Sequence, residues 1–185
     1  MPSSAAEDDL AALRVALWDE LQRAARDKSH GWRTPVLATR DGEGADARTV
    51  VLREVDAERR QVLIYTDVRS PKVAQLQAHP QATLVAWCPS LGWQLRLKAR
   101  LSLDTDGLAL SSRWARLQLS PAAQDYLSPL PPGSALDTAP VPARDTRGHF
   151  ALIRAEVEAI DWLGLRPGGH RRAVFDAAGA RWVTP

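Results

Sequence analysis

The sequence predicts a mainly β protein, an antiparallel β-barrel with flanking helices. Three observations carry that prediction. Short segments of apolar and polar residues in strict alternation recur along the chain, and tight turns separate most of them. Helical periodicity is confined to the start, to one short piece near residue 75 and to an excursion after residue 104. Evenly spaced strands joined by hairpins close into a barrel more readily than they build alternating βαβ units.

The elements follow in order. Residues 7–27 place Leu10, Leu13, Leu17 and Leu21 at helical spacing and end at "DKSHG", which predicts one amphipathic helix. "TPVLATR" (34–40) is a strand, "DGEG" a turn, and "DARTVVLREVD" (46–56) a second strand rich in valine. "AERR" turns the chain into "QVLIYTD" (61–67), and a short helix spans 71–78 before His79-Pro80. "QATLVAW" (81–87) and "WQLRLKARLSL" (93–103) are strands, the second with Leu95, Leu97, Ala99 and Leu101 on one face. The segment 128–148 holds five prolines and reads as a surface loop. "HFALIRAEVEAIDWLGL" (149–165), "RRAVFD" and "RWVTP" complete the strands, and the whole chain, 1–185, reads as a single domain.

Composition excludes several classes. A formal charge of +2 without a basic stripe argues against nucleic acid, the densest cluster being His170-Arg171-Arg172. With one cysteine, Cys88, no intramolecular disulfide can form, which points to a reducing compartment and a cytoplasmic protein. The acidic "MPSSAAEDDL" lacks a signal-peptide pattern, and no apolar run is long enough to span a bilayer. His30, His79, His149 and His170 show no paired metal spacing, so no metal is expected. "GEGADA" (42–47) has the letters of a dinucleotide fingerprint, but a strand rather than a helix follows it, so it reads as a hairpin turn.

One junction is over-supplied with cations. In "IYTDVRSPKVAQL" (64–76) a strand gives way to a helix that starts Ser70-Pro71-Lys72, with Arg69 just before it. Serine at the N-cap and proline at the first helical position form a favoured helix start, whose free amides suit a phosphate. Lys72 opposes the helix dipole there, a cost that a bound anion between the cations would offset; a solvated helix start is the plain alternative. In "RTVVLR" (48–53) alternation puts Arg48 with Val50 and Leu52, and Thr49 with Val51 and Arg53. Pairing of 46–54 with 61–67 as a hairpin would bring Arg48 close to Thr66 and Ser70. In "WQLRL" (93–97) Gln94 and Arg96 share the face opposite Leu95, either to orient a polar ring or as wetted barrel exterior.

Taken in order, R-x-V-V-L-R, Y-T-x-x-x-S-x-K, W-Q-L-R-L and a Trp ten residues before an Arg resemble the pyridoxamine 5′-phosphate oxidase-like family of FMN-binding split β-barrels. The resemblance spans about residues 10–185 and is weakest over 105–148. It implies an antiparallel split barrel, a homodimer, and FMN at the subunit interface. Carried over residue by residue, it implies that Arg48 and Lys72 hold the FMN phosphate beside Ser70. Thr49, Val50 and Val51 then run along the flavin, Tyr65 and Thr66 line it, and Gln94 reaches it from the neighbouring subunit. Trp162 and Arg172 resemble the closing Trp and Arg.

The departures concern the substrate. Vitamin B6 phosphate oxidases carry Arg-x-His before the last Arg, whereas this chain has Gly168-Gly169-His170. Pro71 stands where the phosphate site usually has arginine, and Arg53 where the substrate phosphate usually meets lysine. Arg113, Arg116 and Tyr126 align with no particular position of the substrate pocket. The expectation is an FMN-dependent oxidoreductase of unassigned small-molecule substrate, with Arg53 and His170 as candidate substrate residues and no nameable acid or base. Two alternatives are a true pyridoxamine 5′-phosphate oxidase and a non-catalytic flavin- or haem-binding sensor or stress protein.

Overall fold

The computed structural model describes residues 8–136 and 148–185. Its first helix, α1 (Leu10–Arg26), begins three residues later than the leucine spacing predicts. Asp9 accounts for the shift: its carboxylate accepts the amides of Ala11 and Ala12 at 2.6 and 2.9 Å, which sets the N-cap. The helix buries Leu13, Leu17 and Leu21 in the main core, at roughly 2 kcal/mol for each fully buried side chain.

Nine antiparallel strands follow among the described residues: β1 (Val36–Asp41), β2 (Gly44–Thr49), β3 (Leu52–Asp56), β4 (Gln61–Asp67), β5 (Gln81–Cys88), β6 (Trp93–Asp104), β7 (Phe150–Gly164), β8 (Arg171–Asp176) and β9 (Gly179–Val183). Between them lie α2 (Pro71–Ala78) and α3 (Leu108–Leu117). The sheet runs β2-β1-β5-β6-β7-β4-β3, with β8 and β9 continuing from the far end of β7. Its two end strands, β2 and β3, are consecutive in the chain, so the path curls back on itself as a barrel, as the alternation predicts. Within the 128–148 segment, residues 128–136 carry no helix or strand, while 137–147 fall outside the described residues. The final strand starts at Gly179, two residues before the sequence pattern suggests, because that glycine takes φ 112° and turns the chain at once.

The pattern also predicts a single strand over 46–56, and the structure corrects it. The ladder breaks at Val50-Val51: the Val50 amide bonds Pro35 O and the Leu52 amide bonds Arg33 O, both at 2.9 Å. The chain thereby leaves β1 and joins β4. Arg48 accordingly lies opposite Leu37 of β1, not on a hairpin with 61–67.

The interior is filled by Leu37, Ile64, Leu84, Leu95, Leu97 and Ile153 with the indoles of Trp32, Trp93 and Trp162. A second, smaller cluster (Leu63, Trp114, Leu117, Tyr126, Phe150 and Leu152) seats α3 on the outer face of β4 and β7. No helix among the described residues is long and apolar enough to cross a membrane.

Candidate functional site

Three groups of polar side chains stand on this frame, and β7 sets their spacing. The first gathers where β4 runs into α2. Ser70 is the N-cap of α2 and Pro71 its first residue, yet the Ser70 hydroxyl makes no capping bond. It accepts instead from Lys72 Nζ at 2.6 Å, and Thr66 Oγ1 accepts from the same ammonium at 3.4 Å. No ion pair among the described residues includes Lys72, since Asp67 is taken by Arg69 and Asp46 by Arg48. Burial, and then the charge of Arg48, hold the Lys72 pKa below the usual lysine value.

Arg48 arrives from β2 through a network across α2. It donates to Thr39 Oγ1, to Asp46 and to Gln75 Oε1, the last at 2.8 Å. Thr39 donates to the same Gln75 oxygen at 2.7 Å, and Gln75 Nε2 donates to Asp46 at 3.1 Å. Gln75 lies three residues after Lys72 and so shares its face of α2. Arg48 and Lys72 therefore converge as the sequence predicts, but through β1 and α2. Arg69 is committed elsewhere, to Asp67 and to the carbonyls of Ser128 and Pro129.

The second group lies at the far end of β7. Gln94, Leu163 and Arg172 are cross-strand neighbours on the outer face of β6, β7 and β8, with Gln94 and Arg172 about 10 Å apart by strand spacing. Asp161, two residues before Leu163 and on the same face of β7, takes Arg172 Nε and Nη2 at 2.9 and 2.8 Å and Arg96 Nη1 at 3.2 Å. The hydrogen bonds from Arg172 hold the Asp161 pKa below the usual range. Trp162 is not part of this row. It points into the barrel, fully buried against Trp93 and Trp182, and its indole N–H has no acceptor among the described residues.

Thr66 pairs with Ala151 and Gln94 with Leu163, so twelve residues of β7 separate the first two groups, about 40 Å of strand path. One copy of the chain does not bring them together.

The third group surrounds Tyr65. Its hydroxyl donates to Glu54 Oε1 at 3.1 Å, and Arg113 of α3 grips the same carboxylate at 2.7 and 2.6 Å. Arg53 lies over the Tyr65 ring, 5.2 Å from its centroid, with Nε buried and unpartnered. Burial and then the Glu54 charge push the Tyr65 pKa up to about 12. His170 is exposed on the β7–β8 hairpin, where its Nδ1 accepts the Arg166 amide at 3.3 Å. Thr49 is exposed, Val51 half-buried and Val50 buried beside them. Sequence reasoning missed Gln75, Asp46, Glu54 and Asp161. Helical spacing from Lys72 could have found Gln75, and strand alternation, which puts Asp46 on the same face as Arg48, could have found Asp46; Glu54 and Asp161 depend on partners brought in from α3 and other strands.

The family model described as "Pyridoxamine 5′-phosphate oxidase, FMN-binding domain" matches residues 15–104. A pyridoxine/pyridoxamine 5′-phosphate oxidase of Caulobacter vibrioides is 31% identical over 196 residues, covering 99% of this chain and 86% of that protein. The chain belongs to the pyridoxamine 5′-phosphate oxidase-like family. The domain that defines the family binds FMN. In fold, this family member resembles a pyridoxamine 5′-phosphate oxidase-related, FMN-binding protein of Nostoc punctiforme, with TM-score 0.72 and 24% identity over 92% of this chain and 96% of that one. It also resembles PhzG of Burkholderia lata, with TM-score 0.69 and 15% identity over 92% of both.

The residues of the α2 end fit such a cofactor. A half-buried ammonium whose partners are two hydroxyls, at a helix start with an uncommitted cap, has the chemistry of a phosphate seat.

Proposed function

We propose that the protein is an FMN-dependent oxidoreductase acting as a cytoplasmic homodimer. The observation that carries the cofactor assignment is Lys72, a half-buried cation bonded to Ser70 and Thr66 rather than to a carboxylate. Lys72, the Ser70 hydroxyl and the backbone amide of Lys72 hold the phosphate, since the Ser70 and Val73 amides are taken by Asp67 O and Ser70 O, and Arg48 adds a second positive charge from across Gln75. Thr66, Tyr65 and the Thr49-Val50-Val51 segment line the ring. Gln94 and Arg172 approach it from the second subunit, because the register keeps them far from α2 within one chain. Asp161 orients Arg172 for that contact. Bound FMN supplies hydride acceptance at its N5; the chain supplies orientation, charge at the phosphate and exclusion of water. Trp162 acts from inside the barrel wall, packed against Trp93 and Trp182 beneath the strand that carries Arg172.

The test is direct. Purified protein should be yellow, release FMN on denaturation and sediment as a dimer. Colourless protein that takes up no added FMN would refute the proposal.

Oxidation of pyridoxamine 5′-phosphate itself is a second reading, favoured by the name and near full-length match of the Caulobacter relative. Against it, Gly168 stands where the resemblance places a substrate-binding arginine, in open space on an exposed hairpin, with His170 facing solvent beside it. Turnover of pyridoxamine 5′-phosphate with oxygen is therefore expected to be weak or absent. Robust turnover would establish the second reading.

A further inference from the structure

Gln75 is buried on α2, one turn after Lys72, and its amide reaches across to β1 and β2. The amide oxygen accepts from Thr39 Oγ1 at 2.7 Å and from Arg48 Nη2 at 2.8 Å, which fills both lone pairs. The amide nitrogen donates to Asp46 Oδ2 at 3.1 Å, and the same carboxylate oxygen accepts from Arg48 Nη2. Only one orientation of the amide works: reversed, it would turn N–H groups toward Arg48 and its oxygen toward Asp46. Thr39 closes the ring, because its hydroxyl accepts from Arg48 Nη1 while donating to Gln75. Both terminal nitrogens of Arg48 are therefore held, and Nε is its one nitrogen without a partner among the described residues.

These bonds join two cations that stand on separate elements. Arg48 belongs to β2, an end strand of the sheet path that pairs with β1, whereas Lys72 belongs to α2. An arginine on an end strand would otherwise sample several rotamers, and ordering it at the moment of binding lowers affinity. Gln75 and Thr39, both buried, have already removed that freedom. The hydrogen bond from Gln75, and then that from Arg48, hold the Asp46 pKa below the usual carboxylate range, which keeps Asp46 charged beside the guanidinium. We propose that Gln75 is a positioning residue for the cofactor phosphate: it acts through Arg48, tying that guanidinium to the helix of Lys72 so that the two cations form one preorganised anion seat. The proposal rests on the reading that Lys72 and Arg48 hold the FMN phosphate. Its consequence is selectivity among flavins, because Gln75 then matters for FMN and not for riboflavin, which lacks the phosphate.

The test is flavin fluorescence titration of the flavin-free, full-length protein with FMN and with riboflavin, in wild type, Gln75→Met, Arg48→Met and the double variant. Methionine keeps the length of the glutamine stem and removes both hydrogen-bonding groups. Gln75→Met should lower the preference for FMN over riboflavin roughly three- to tenfold, the factor that one hydrogen bond supplies, with riboflavin affinity unchanged. In the Arg48→Met background the same substitution should lower the preference no further, since Gln75 acts through Arg48. An unchanged preference in Gln75→Met, or an equal loss with and without Arg48, overturns the proposal. Proportional loss of affinity for both flavins also overturns it, because that marks a structural role. Should Gln75→Met fold poorly, Thr39→Val takes its place: it deletes the hydroxyl that links Gln75 to Arg48 and should also lower the preference, and an unchanged preference overturns the proposal. Failure of the underlying reading looks different: wild type then shows no preference for FMN, or Arg48→Met keeps the wild-type preference, and the proposal falls with it.

Discussion

Lys72→Met separates a lysine that holds a ligand from one that holds the fold. The substitution keeps the length of the stem and removes the charge. In the folded chain, Nζ touches only Ser70 Oγ at 2.6 Å and Thr66 Oγ1 at 3.4 Å, so no ion pair is lost. Burial already disfavours the ammonium, so the stability of the flavin-free protein should change by less than about 1 kcal/mol. If Lys72 donates to the FMN phosphate, that charge-assisted bond contributes about 1.5–3 kcal/mol, and FMN should bind roughly 10- to 150-fold more weakly. The pH dependence has a definite sign. Folding lowers the Lys72 pKa below 10.5, so the folded protein binds fewer protons than the unfolded chain between the two values. The flavin-free protein thus loses stability as pH falls through that window, and phosphate binding, which favours the ammonium, should be accompanied by proton uptake there. Flavin fluorescence titration gives the affinity, and thermal melts of the flavin-free proteins give the stability. Unchanged FMN affinity in Lys72→Met would refute the assignment. A stability loss well beyond 1 kcal/mol would show instead that the lysine is structural.

Three further outcomes follow from the same geometry. His30 accepts the Trp32 amide on Nδ1 and meets Glu20 through Nε2 at 2.9 Å, and burial lowers its pKa below 6.5. Stability should therefore be full above that value and fall as pH drops below it, and denaturant midpoints of His30→Gln should lose that slope; an unchanged slope assigns it to other groups. Gly164→Ala would set a methyl 2.6 Å from Cζ2 of Trp162, costing about 1–3 kcal/mol in a melt, unless the indole is free to shift. Asp161→Asn should cost under about 1 kcal/mol in stability, because Arg96 and Arg172 are each about a third exposed, yet should weaken flavin retention by loosening Arg172. Retention equal to wild type would remove Asp161 and Arg172 from the cofactor contact.

The alternation of Leu95, Leu97, Ala99 and Leu101 was enough to place β6, and similar patterns located most other strands to within two residues, the exception being the valine-rich run 46–56, which is two strands. Such periodicity is local physics, since a strand with one buried face must alternate. The family motifs were likewise legible, because each lies within a few consecutive residues. What sequence spacing could not show was which strands pair. The expected hairpin of 46–54 with 61–67 fails at Val50-Val51, where backbone bonds to Pro35 and Arg33 redirect the chain. Arg48 consequently reaches Lys72 by way of Gln75 and Asp46, a route no short-range pattern encodes.

The sequence by itself therefore determined the class of fold, the start of α2 at Ser70-Pro71-Lys72 and the family motifs, all of which depend on neighbours within a turn or a strand. Tertiary structure alone decided that Lys72 is left with hydroxyl partners, that Asp161 holds Arg172, and that Glu54 occupies Arg113. It also decided that Trp162 faces the interior while Arg172, ten residues later, faces out. Those outcomes turn on which side chains meet across strands and helices far apart in the chain. Long-range pairing decides such meetings, and residue type at any one position does not.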